Sequence, residues 1–110
     1  MTDDHAYLQH IRDAIDRITN YVVAGEQAFL SDSKTQDAVI RNLEIIGEAV
    51  KSLSVDLKNA NADIPWKRIA GMRDQLIHGY FGVSIDLVWG VVANEIPALK
   101  TKVERLLSNL

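Results

Sequence analysis

The sequence predicts an all-α protein: an up-and-down four-helix bundle whose C-terminal helix is kinked. Three observations carry that expectation. Apolar residues recur at steps of three and four in four separate segments, the period of a helix with one buried face. Capping and breaking residues stand between the segments: Gly25, Asp32, Pro65, Gly79 and Ser84. The connections are short, so successive helices should lie antiparallel. At 110 residues the chain is expected to form one domain, 1–110. Its 47% hydrophobic content allows a real but small core.

The first helix should span about residues 4–24, with Leu8, Ile11, Ile15, Ile18 and Val22 on one stripe and Gly25 as its stop. His5 and His10 do not share a face as an i, i+4 ligand pair would, and read as surface histidines. The second helix should open at Asp32–Ser33, with Gln36 completing an S-x-x-Q capping box. Its stripe of Val39, Leu43, Ile46, Val50, Leu53 and Leu57 is the strongest in the chain and should carry it to about Lys58. The register suits an antiparallel hairpin with the first helix.

This second helix also carries Arg41, Asn42, Glu44 and Glu48. Asp37 and Arg41 have the i, i+4 spacing of a surface ion pair. Glu44 and Glu48 are like charges at that spacing, mildly unfavourable unless a cation lies near. Three readings stand open: a solvated face, a dimer contact or support for a catalytic arginine, and a metal site. The metal reading is the weakest, because no Glu-x-x-His follows on any helix.

A polar connection, 59–64, leads to Pro65 at a helix start, where its missing N–H costs nothing. Asp63 is a candidate cap. Trp66, Ile69, Met72 and Leu76 then form the buried stripe of a third helix of about 13 residues. Trp66 reads as core rather than as a platform for a base. Gly79 suits the position just past the helix, which leaves His78 in the last turn, beside bare carbonyls that favour an imidazolium. Residues 79–83 form a turn and Ser84 caps the fourth helix. Its stripe is Ile85, Val88, Val92, Ile96, Leu99, Val103 and Leu106, and Pro97 inside it should kink it.

There is no cysteine, so neither a disulfide framework nor a thiolate metal site exists. The acidic, polar N-terminus lacks the pattern of a secretory signal, and no apolar run reaches the ~18 residues of a membrane span. A soluble cytoplasmic protein is the expectation. The formal net charge of −3 argues against a broadly basic nucleic-acid binder. The charge is uneven, however. Lys51, Lys58, Lys67, Arg68 and Arg73 face only Asp56 and Asp63 over residues 51–73. A local anion site and ordinary solvated lysines both fit that bias.

The chemistry is concentrated in Arg73, His78 and Tyr80, an R-x4-H-x-Y spacing. A guanidinium binds phosphate through its fork, and an imidazole moves protons near neutral pH. Five residues separate Arg73 from His78, roughly 140° around a helix and ~7.5 Å along it. One phosphate meets both if the chain unwinds at Gly79, or if two copies meet across a dimer axis. The chemistry these groups suit is metal-independent cleavage of RNA through its own 2′-OH, which DNA lacks. The competing structural roles are an arginine paired with Asp74, Glu44 or Glu48, a histidine capping carbonyls, and a tyrosine packed in a turn.

The tracts Arg41-Asn-Leu-Glu-Ile-Ile-Gly-Glu-Ala49, Ile64-Pro-Trp through Gly79-Tyr-Phe81, Asp86-Leu-Val-Trp89 and Ile96-Pro-Ala-Leu99 resemble the HepT-like family of HEPN-domain proteins. The resemblance covers nearly the whole chain. It implies a HEPN-like helical bundle that forms a homodimer, with Arg73 and His78 as the catalytic pair at a composite cleft. Asp74 would support them, and Glu48 and Asn42, from the polar face of the second helix, are candidates for the same role. It further implies a ribonuclease toxin whose partner is a minimal nucleotidyltransferase antitoxin, and a Tyr80 that this partner adenylylates. Bulk and negative charge added at the cleft mouth would repel RNA. The substrate would be RNA, with no cofactor, no metal, no DNA and no membrane. The alternative is a non-catalytic helical dimer that serves the nucleotidyltransferase as binding platform and substrate. A small-nucleotide enzyme is a weaker reading, because the chain has no Gly-rich phosphate loop.

Overall fold

The computed structural model describes residues 3–78 and 84–110, with backbone only for Arg73, Leu76, Ile77 and His78. Among these residues every regular element is a helix. Helix α1 runs Asp4–Tyr21, capped by Asp3, whose carboxylate accepts from the Ala6 N–H at 3.1 Å. It stops three residues short of the expected end, and Gly25, at φ 94°, makes the turn that follows. A side chain would strain that conformation.

A short helix α2 (Glu26–Leu30) comes next, and the sequence did not announce it. Five residues are too few to show a helical period. What holds the helix is Phe29, buried and in ring contact with Trp89 at 5.3 Å.

Helix α3 spans Ser33–Ser52. The expected capping box is not formed. Asp32 caps instead, accepting from Lys34 N–H at 3.1 Å and Thr35 Oγ1 at 2.8 Å. Gln36 turns back, and its amide donates to the Phe29 and Leu30 carbonyls at the end of α2. The aspartate wins because its charged acceptor serves two donors at once. The Thr35 bond, with help from the Lys34 and Thr35 amides, holds the Asp32 carboxyl below its usual pKa.

The helix does not run through to Lys58. It ends where Leu53 is extended, and Ser54 caps a separate helix α4 (Val55–Ala60) through its hydroxyl. The sequence conceals this break because Leu53 and Leu57 still turn toward the core on either side of it. Asp4 fixes the corner, accepting from Ser54 N–H at 2.8 Å and Ser54 Oγ at 2.7 Å. Replacing it, Asp4→Ala, should lower stability by about 1–3 kcal/mol. Chemical denaturation of the two proteins measures that loss.

The Asp4–Ser54 contact and the bond from Arg17 to Asn42 set the direction of α1 against α3. The start of one lies beside the end of the other, so the pair is the antiparallel hairpin expected. Helix α5 spans Trp66–His78 and packs on α3. Helix α6 (Ile85–Gly90), a π segment (Val91–Glu95) and helix α7 (Ile96–Ser108) run on in one rod, and α7 closes the bundle against α1.

The distortion expected from Pro97 appears ahead of it, as the π segment. Proline has no N–H to donate, and its ring crowds the carbonyl four residues back. The wider turn, in which the Ile96 N–H reaches the Val91 carbonyl, absorbs that mismatch.

The core joins three of the stripes: Leu8, Ile11, Ile15 and Ile18 with Val39, Leu43, Ile46 and Val50, then Val88, Val92, Ile96, Leu99, Val103 and Leu106. Trp66 belongs to it too, as read from sequence, and its indole N–H donates to the Asn61 carbonyl at 3.1 Å. Asp63 is placed beside Lys102 and Arg105 of α7, at 3.8 and 3.6 Å. Among the described residues no helix is long and apolar enough to cross a membrane.

Candidate active site

Helix α5 carries both motif residues and ends on His78 itself. Trp66 anchors its first turn in the core. Ile69, Ala70 and Met72 pack half-buried against the core. Further along, Lys51 of α3 grips Asp74 at 2.7 Å. Both partners are substantially exposed, so the ion pair contributes under about 1 kcal/mol. Its consequence is geometric: it fixes the α5 backbone against α3 at the residue next to Arg73.

Asp74 is thus engaged with a lysine, a partner the sequence reading did not name. Glu48 lies on α3, exposed, three residues and about one turn before Lys51. The side chains of Arg73 and His78, and all of Tyr80, lie outside the described residues.

Asn42 stands elsewhere. It is buried at the α1–α3 contact, accepts from Arg17 Nη1 at 3.3 Å and donates to the Ala38 carbonyl at 2.9 Å. Both ends of its amide are occupied within the hairpin, which makes it a packing residue. Arg41 turns to Glu44, at 3.8 Å, rather than to Asp37. The cation that relieves the Glu44–Glu48 repulsion on one side is therefore on their own helix.

Two depressions flank this part of the bundle. One, of about 260 Å³, lies between α1 and α3 and is lined by Tyr7, His10, Arg41, Glu44 and Glu48, among others. The second, of about 680 Å³, lies between α5 and the α6–α7 rod. Its walls are mainly apolar, with Ile69, Met72, Leu87 and Val91 among them. Arg68 pairs with Glu95 there. Among the described residues no three His, Asp or Glu side chains gather where they would share a metal ion.

The model of a family described as "Ribonuclease HepT-like" matches residues 11–106. The chain belongs to this HepT-like family. The chain is similar to a Thermococcus cleftensis protein named "Probable ribonuclease HepT", 49% identical over 102 residues, covering 91% of this chain and 92% of the other. A Methanocaldococcus jannaschii protein named "Putative RNase MJ0127" is 44% identical, over 94% of this chain and 83% of that one. A Caldanaerobacter subterraneus protein, "Putative RNase TTE0752", is 40% identical over 97% and 96%. No solved structure matches the chain.

The HepT-like chain is accordingly a ribonuclease, and RNA is its substrate. The R-x4-H spacing of Arg73 and His78 lies within the residues that the family model matches. The structure adds what the spacing lacked: the docking of α5 on α3 next to the motif.

The ion pair of Lys51 with Asp74 escaped the sequence reading. Lys51 looked like one surface lysine among several. His10 is exposed, as the sequence reading had it, and its ring also meets that of Tyr7 at 89°, centroids 6.2 Å apart. The i, i+3 spacing of Tyr7 and His10 was the signal that could have found this ring contact.

Proposed function

We propose that the chain is a metal-independent endoribonuclease toxin, acting as a homodimer with Arg73 and His78 at the dimer cleft. The observation that carries this reading is the course of α5, which presents Arg73 in mid-helix and His78 at its last residue. About 140° of helical rotation separates their positions on the helix, which favours a phosphate shared between two copies over one held by a single regular helix. A second copy related by a two-fold axis supplies the missing partner.

The groove beside α5 supports such a dimer. It has apolar walls, and Leu87, largely exposed, stands at it. Both signs of charge occur around it: Arg68 and Lys102, Asp86 and Glu95. An interface that meets its own copy needs that self-complementary mix.

The reaction follows from the residue types. A histidine takes the proton of the ribose 2′-OH, and O2′ attacks the adjacent phosphorus. The P–O5′ bond breaks, and the same histidine, now carrying the 2′ proton, hands it to the departing O5′. Arginine stabilises the charge that grows on the non-bridging oxygens. The products are a 2′,3′-cyclic phosphate and a 5′-OH. Asp74 and Glu48 hold α5 and the arginine in place. A minimal nucleotidyltransferase antitoxin transfers AMP to Tyr80 and blocks the cleft with bulk and charge.

The test is cleavage of RNA in EDTA by protein shown by mass to be free of AMP. Cyclic phosphate ends are expected, and no cleavage at all would overturn the reading. The dimer has its own test. Arg73→Ala and His78→Ala copies, each inactive, are unfolded together and refolded. With free exchange half the dimers are mixed, and one of their two composite sites is intact. About one quarter of wild-type activity should return. A site contained in one protomer would return none.

A further inference from the structure

We infer that the depression between α1 and α3 is a pocket for one guanine base of the RNA substrate. The inference deepens the ribonuclease reading and rests on RNA passing α5 as proposed above. Helix α3 contributes Arg41, Glu44, Ile45, Glu48, Ala49 and Ser52, a continuous strip at helical spacing. Helix α1 faces it with Tyr7 and His10. The strip ends beside Lys51, whose ammonium holds Asp74 next to Arg73. A strand whose phosphate lies at α5 therefore has this depression beside it.

Three features fit a base. The volume, about 260 Å³, falls just below the ~300 Å³ at which pockets for drug-sized ligands begin. It suits one planar ring system. Tyr7, whose ring meets that of His10 at 89°, lines the depression with an aromatic ring of the kind on which unpaired RNA bases stack, and Ile45 and Ala49 add apolar surface. The polar groups then choose among bases. Glu44 is three-quarters buried or more and its contact with Arg41, at 3.8 Å, is longer than a hydrogen bond. Its carboxylate keeps acceptor capacity and has nothing to donate. Guanine alone places two N–H donors side by side on its Watson–Crick edge, N1–H and the N2 amine, matched to two carboxylate oxygens. Adenine sets an acceptor beside its donor, and uracil flanks its one N–H with carbonyls. Arg41, exposed at the rim, is placed to meet the phosphate attached to the base.

The probe is a short 2′-O-methyl RNA, which cannot be cut because its 2′ oxygen carries no proton. Oligonucleotides that differ only in one central base are titrated with the full chain and followed by fluorescence anisotropy. The guanine oligonucleotide should bind about tenfold or more tightly than the adenine one, the scale of a good bidentate base contact. Inosine, which lacks the N2 amine, should fall between them. In Glu44→Gln the guanine-to-adenine ratio should collapse toward one, since the amide offers one acceptor and a clashing donor. Tyr7→Leu should weaken every oligonucleotide, and Tyr7→Phe should restore it. Equal affinity for all bases in the wild type would overturn the inference, and so would a guanine preference that survives Glu44→Gln. Cleavage of ordinary RNA is measured in parallel. Guanine preference without cleavage supports the pocket and counts against the nuclease mechanism. Cleavage without guanine preference does the reverse.

Discussion

His78→Ala should lower RNA cleavage about 10²- to 10⁴-fold, the range by which a positioned general acid or base accelerates a reaction. Initial rates on a defined RNA, at saturating and at low substrate, check this. The loss should fall on kcat and on kcat/KM alike, because proton transfer is felt only in the transition state. Arg73→Ala should behave differently. A guanidinium that holds the phosphate in the ground state and stabilises it further in the transition state affects both binding and rate. His78 is the last residue of α5, a position where a cationic side chain ordinarily adds no more than a favourable charge–dipole contribution. Its replacement should therefore shift thermal unfolding by no more than about 1 kcal/mol. A His78→Ala protein that melts normally and still cuts would remove the histidine from the mechanism.

The fold was open to a sequence reading wherever burial follows a period. Leu8, Ile11, Ile15 and Ile18 were read as core, and all are fully buried. The same holds for Val39, Leu43, Ile46 and Val50, and for Val103 at the far end of α7. What stayed hidden has one physical cause: the apolar stripe records which side faces inward and is silent about the backbone. Leu53 and Leu57 kept the pattern across the break at Ser54, because a capped turn redirects the chain without exposing either leucine. The capping box failed for a related reason. Spacing put Ser33 and Gln36 in register, but it could not rank a hydroxyl against the adjacent Asp32 carboxylate.

The candidate site divides along the same line. Local spacing predicted that Arg73 and His78 share a helix with the histidine at its end, and α5 has those bounds. Contacts between helices were beyond its reach. Lys51 and Asp74 are 23 residues apart, so no periodicity relates them. Asn42 shows the same limit from the other side. As a polar residue on a rich helix it looked like part of a site, whereas α1 packs over it and Arg17 claims its carbonyl. Polarity on a helix says that a partner exists, and only the packing says whether the partner is a substrate or a neighbouring helix.

Ile15→Ala should destabilise the protein by about 2–5 kcal/mol, the usual cost of truncating a fully enclosed isoleucine. The cost has two parts: lost burial of three carbon atoms, and the void left behind. The void is hard to close here. Ile11 and Ile18 lie on the same stripe at full burial, and α1 is clamped by α3 on one side and α7 on the other. Ile15→Val, which removes one methyl, should cost about 0.5–1.5 kcal/mol. A domain of this size holds only about 5–15 kcal/mol in total, so the alanine variant gives up a large share. Denaturant titration measures both. Activity distinguishes this loss from the one at His78. Where Ile15→Ala is still folded, its cleavage rate per folded molecule should match the wild type. As temperature rises, its activity should fall along its melting curve. His78→Ala should show the opposite pairing, with a normal melting curve and a lost rate. If the Ile15→Ala rate drops well below its folded fraction, the core and the α5 face are coupled more tightly than the packing through α3 requires.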